Sequence, residues 1–127
     1  MKAECKEIAN SLLAVDNTLA FALCSWQHHD VQAVGRGLDV TIDHLKELLE
    51  RGKASPEELE PFKAKRQEIL ELIAGRDPPR PELLSEEFNA WAEQRDQKVI
   101  ERLQSLHELS EQLLLEKVIA CECGKGG

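Results

Sequence analysis

The chain contains no tyrosine, and its five aromatic residues are Phe21, Trp26, Phe62, Phe88 and Trp91. Any sizeable core must therefore come from Leu, Ile, Val and Ala. Basic residues are also in deficit, with 16 Lys and Arg against 24 Asp and Glu, for a formal net charge of −8. Nucleic-acid backbones and anionic membrane surfaces both recruit clustered Lys and Arg. Neither is expected as a partner.

Long apolar runs are missing too. The richest stretch, Leu12 to Cys24, is interrupted by Asp16-Asn17-Thr18, and a membrane-crossing helix needs about 20 mostly apolar residues. Near the start, Lys2 and Lys6 mix with Glu4 and Glu7, unlike a secretory leader. Leu23 stands before Cys24, where a lipoprotein signal needs a small residue. Cytoplasmic residence is the expectation, and there cysteines read as thiols or metal ligands before disulfides.

Catalytic signatures are equally scarce. There is no His-Glu-x-x-His, no Glu three residues before any His, and no Gly-x-Ser-x-Gly elbow. Gly124-Lys125-Gly126-Gly127 lacks the glycine spacing and the Ser/Thr of a phosphate loop. The reading is of a protein that is not an enzyme and needs no cofactor.

What is present is helical periodicity. At 127 residues one domain is expected, and 42% hydrophobic against 31% charged residues suits a folded chain rather than a disordered one. Prolines and glycines divide it into four amphipathic segments, predicted near 3–28, 30–51, 56–74 and 82–120, with 121–127 as a flexible tail. The first carries Ile8, Leu12, Val15, Leu19, Leu23 and Trp26 at three- and four-residue steps. Asp30 is a candidate N-cap for the second. Gly35 and Gly37 weaken its first turns by ~1 kcal/mol each. They mark either a loop, with the helix starting near Asp39, or a close backbone crossing. Ser55-Pro56-Glu57-Glu58 is a strong start for the third, within which Pro61 predicts a kink. Arg76 to Pro81 reads as a stiff, extended connector.

Short connections make neighbouring helices antiparallel. The predicted fold is all-α, an antiparallel (up-down-up-down) four-helix bundle with a long C-terminal helix. At 1.5 Å per residue that last helix, about 36 residues if counted from Ser85 as its N-cap, spans ~54 Å, against ~30 Å for the second and third. An unbroken fourth helix should project an apolar stripe and recruit a partner through it. The anchors predicted on it are Trp91, Leu103, Leu106, Leu109, Leu113 and Leu114, offered as a helix in a groove.

In such a bundle the chain termini meet, bringing Cys5 towards Cys121 and Cys123. These three thiols are the leading metal-site candidate, though zinc prefers four Cys or His ligands. Cys24 is ~28 Å away along the first helix. His28-His29 beside Asp30 reads as a turn segment, or else as a pH-sensitive or metal-binding pair. Asp39, Asp43 and His44 are the nearest thing to a catalytic grouping, and no nucleophile accompanies them.

The expected function is a non-enzymatic acidic protein-protein interaction module, of the chaperone, adaptor or inhibitor kind. In outline the chain resembles the short, acidic, helical export chaperones of flagellar and type III secretion systems, a likeness of class to which no residue is transferred. The alternative is a metal- or thiol-responsive helical protein. Residues 1–54 hold six bases and eight acids, while residues 55–127 hold ten and sixteen. The acidity thus sits with the third and fourth helices and predicts a basic partner, with a second copy of the chain as the other candidate.

Overall fold

The computed structural model describes residues 2–76 and 79–123. Among them, four helices follow one another: α1 (Ala3–Gln27), α2 (Val31–Glu50), α3 (Pro56–Ala74) and α4 (Glu86–Glu122). Each packs on its two neighbours, α1 against α2 and α4, and α3 against α2 and α4, with no close backbone approach across the diagonal among the described residues. This is the antiparallel four-helix bundle that the periodicity predicts.

The helix ends show why the segments start and stop where they do. Asp30 caps α2 by accepting from the Ala33 N–H at 3.1 Å. Ser55 and Glu58 form a reciprocal capping box on α3, with Pro56 in the first turn. Gly75 ends α3 at φ +72°, a left-handed position that glycine takes without penalty. Ser85 caps α4, so that helix begins at Glu86 and not near 82. The α1–α2 turn places His29 at φ +59° while the Asp30 N–H closes on the Ser25 carbonyl at 2.9 Å. His28-His29 is a turn segment, as its plainer reading held.

α3 runs through Pro61, an exposed residue, over the span the periodicity predicts. One local expectation changes. The connector between α3 and α4 is not extended where it is described. Arg76 bridges to Pro79, and the Arg80 N–H donates to the Gly75 carbonyl at 3.0 Å, so the chain reverses there. A Cβ on Gly75 would stand 3.1 Å from that of Arg80 and 3.5 Å from the Trp91 ring, so a side chain there would press on Arg80 as well as strain the left-handed backbone.

The core is aliphatic. Leu12, Val15, Leu19, Val34, Leu38, Leu45, Ile69, Val99, Leu103 and Leu106 are essentially inaccessible, with Phe62 the largest side chain among them. α1 is long and apolar enough to cross a membrane by length and composition, with a mean hydropathy of 1.3 over its richest window. Here its apolar stripe is a core stripe. Gly37 permits a close crossing of α1 and α2, since a Cβ there would lie 3.2 Å from both the Ala22 Cβ and the Thr18 carbonyl. Gly35 has open space around its Cβ position. Of the two readings of these glycines, close approach is correct for Gly37.

α4 is unbroken, but its stripe is covered. Trp26 Nε1 donates to the Asp96 carbonyl at 3.3 Å, and Cys5 is bonded to Cys121, so α1 runs beside α4 along that whole length. Lys117 pairs with Glu58 at 2.8 Å, which sets α3 alongside as well. The surplus of α4 is only the first turn or so, Glu86 to Ala90.

Candidate functional site

The anchors expected on α4 are not a free surface. Trp91, Leu103, Leu106 and Leu113 are buried, and Leu109 and Leu114 are half-buried against the core. The physical reason is register. Helix lengths alone leave α4 unpartnered, whereas the aligned ends of α1 and α3 cover it. On the solvent side of α4 the exposed apolar pair is instead Leu115 and Ile119.

Trp91 belongs to an aromatic cap where α1 ends and α4 begins. The Arg95 guanidinium carbon lies 4.9 Å from the Trp91 ring centroid and 5.5 Å from that of Trp26. Cation–π attraction and the Arg95–Asp96 ion pair, at 3.1 Å, hold that end together. Phe88 tilts against Trp91 with centroids 5.7 Å apart.

Of the three cysteines expected to gather, Cys5 and Cys121 meet and Cys123 does not join them, so there is no three-thiol metal site. Cys5 and Cys121 are joined in a disulfide with Cα atoms 5.7 Å apart. Oxidised sulfur in that bond is no zinc ligand, because zinc takes thiolates. Cys123 is exposed and free, and Cys24 is exposed at the far end of α1. Residues 121–123 therefore do not belong to a loose tail. The rest of that expected tail, 124–127, lies outside the described residues.

Cys24 faces His28 with Sγ and Nδ1 4.0 Å apart. The same Nδ1 lies 3.0 Å from the Cys24 carbonyl, to which it donates as N–H. It is thus turned away from service as a base for the thiol. Asp39 is bound to Arg66 at 2.6 Å across the α2–α3 interface, and among the described residues Asp39, Asp43 and His44 do not gather their ligand atoms as Asp16, His107 and Glu111 do.

Two features escaped the sequence reading. The first is an apolar groove on the outer side of α1 and α2, lined by Asn17, Thr18, Phe21, Arg36, Gly37 and Val40. Phe21 is 54% exposed and Val40 41%, and the missing side chain of Gly37 forms the floor between them. Both residues lie outside the main stripes of their helices, which was the available signal. The second is a polar cluster between α1 and α4. His107 Nε2 lies 2.9 Å from Asp16 Oδ1, and His107 Nδ1 lies 3.1 Å from Glu111 Oε1. Nothing in the spacing of Asp16 and His107 announces their meeting, because they are 91 positions apart.

Carboxyl acidity is perturbed at the opposite end. Burial pushes the Glu58 carboxyl up, but its hydrogen bonds to Lys117 and Ser55 outweigh that and hold it below its usual value. Glu4 is held low by its hydrogen bond to Lys53. No protein-family model, curated protein or solved structure matches the chain.

Proposed function

We propose that the protein is a non-enzymatic helical interaction module that binds a partner protein in the α1–α2 groove. The observation carrying this reading is Phe21, which stands half out of the protein beside Val40 over the glycine floor of Gly37. Aromatic side chains in apolar clefts are where interface energy concentrates. An amphipathic helix fits such a cleft. The net charge of −8 favours a partner whose flanking residues are basic, since complementary charge speeds encounter. Binding thus moves from the α4 leucines to the outer face of α1 and α2.

Phe21→Asp and Val40→Asp test it. Both side chains point outwards, so helicity and melting temperature should hold while the protein purified from its native cell loses its partner. Retention of that partner by both variants would sink this reading. Light scattering of the purified protein over a concentration range separates a foreign partner from a second copy.

A thiol-responsive role is the second reading, supported by the Cys5–Cys121 bond with the Cys123 thiol two residues beyond it. Disulfides persist in oxidising compartments. Cytoplasmic residence would therefore make this bond a reversible one, formed and broken with the thiol poise of the cell. Titration against glutathione buffers distinguishes the two. A midpoint within the cytosolic range supports a switch, and a bond resistant to that range supports an extracytoplasmic staple.

A further inference from the structure

We propose that Asp16, His107 and Glu111 form a binding site for a zinc-class divalent cation that ties α1 to α4. The three residues each offer one ligand atom, and these atoms lie within 4.8 Å of one another. Asp16 comes from α1, and His107 and Glu111 come from successive turns of α4. The histidine and glutamate are four residues apart and so share one helix face.

The chemistry of the donor set selects the ion. One imidazole nitrogen and two carboxylates suit zinc and its neighbours, while magnesium and calcium prefer all-oxygen shells. Bonds of 2.0–2.2 Å to a tetrahedral ion place ligand atoms ~3.4 Å apart. The 2.9 Å between His107 Nε2 and Asp16 Oδ1 is already close to such an edge. Glu111 is the most exposed of the three, so its carboxylate is free to turn from Nδ1 towards the ion. Solvent completes the shell. Ligands bind in their deprotonated forms, so a cation on Nε2 takes the place of any proton there.

The surroundings are arranged to hold the first two ligands still. Asp16 is half-buried, and its Oδ1 lies 3.2 Å from Ser110 Oγ. Ser110 is itself fully buried, and its one hydroxyl proton is shared between that carboxylate and the His107 carbonyl at 2.8 Å. Outer hydrogen bonds of this kind orient metal ligands. Leu12 and Leu19, one turn either side of Asp16, and Leu103 and Leu106, just before His107, all belong to the hydrophobic core.

Zinc alone, titrated calorimetrically, tests the site. The protein should carry Cys24→Ser and Cys123→Ser, which removes the free thiols as competing ligands and leaves the Cys5–Cys121 bond. One equivalent should bind, and the His107 ring ¹⁵N resonances should shift. His107→Ala should abolish binding, and Asp16→Asn and Glu111→Gln should each weaken it at least tenfold. Asp16→Asn preserves shape and hydrogen bonding, so it serves should His107→Ala fail to fold. Absence of heat and of ring shifts overturns the proposal. So does unchanged affinity in Asp16→Asn, or magnesium binding as tightly as zinc.

Discussion

The hydroxyls of Thr18 on α1 and Thr41 on α2 lie 2.6 Å apart. Thr41 Oγ1 also lies 2.8 Å from the Gly37 carbonyl and Thr18 Oγ1 2.8 Å from the Val15 carbonyl, so one hydroxyl donates to the other and that other donates to its carbonyl. Such proximity requires a residue without a side chain opposite Ala22, and Gly37 supplies it.

The two α2 glycines should therefore respond oppositely to alanine. Gly35→Ala meets open space and should stabilise by about 0.8–1 kcal/mol, the helix-propensity difference. Gly37→Ala carries the same propensity gain. Its new methyl, however, presses on a backbone carbonyl and a packed Cβ at 3.2 Å, neither of which can swing aside. Overpacking costs ~1–3 kcal/mol, so the net effect is neutral to destabilising by about 2 kcal/mol. Urea unfolding of the two variants checks this, and equal stabilisation would refute the close crossing.

The Cys5–Cys121 bond joins residues 116 apart in sequence. Closing a loop of that size in the unfolded chain is worth ~4–5 kcal/mol in the entropic account, with measured losses of about 2–5 kcal/mol. Cys5→Ser should lower unfolding free energy by that amount. Thiol titration of the folded protein should count two reactive cysteines, Cys24 and Cys123. A count of four before reduction would show the bond absent.

Acid should weaken the α3–α4 contact at Glu58. Its carboxyl is more acidic in the folded chain than the usual 4.5, so the unfolded chain takes up the proton first as pH falls. The stabilisation is complete above about pH 4.5 and drains away as pH drops through the folded value. Glu58→Gln keeps the capping box but loses the ion pair with Lys117, so its stability should fall less on acidification than that of the parent. By contrast, Ser55→Ala removes the cap at any pH, at about 1 kcal/mol or roughly 4 °C in melting temperature.

Leu106 and Leu113 separate core from surface. Both are buried, so Leu106→Asp or Leu113→Asp should unfold the chain. Leu106→Ala should cost about 2–5 kcal/mol. Leu115→Asp, on the exposed side of the same helix, should leave the melting temperature nearly unchanged. Circular dichroism melts decide this, and a folded Leu106→Asp variant would restore the α4 stripe as a surface.

Local chemistry was legible in the linear order of residues. Apolar spacing identified four helices, and Asp30 and Ser55 marked the starts of the second and third, because caps and periodicity act over a few neighbours. Antiparallel order, and with it the approach of Cys5 to Cys121, followed from short connections. Which apolar residues stay uncovered did not follow. That depends on the axial register of α4 against α1 and α3, which is set by contacts such as Trp26–Asp96 and Lys117–Glu58 between residues far apart in sequence. The same register brought Asp16 to His107, and the backbone approach at Gly37 left Phe21 and Val40 flanking a groove. Periodicity assigns a residue to a face of its own helix. Only packing decides what, if anything, lies against that face.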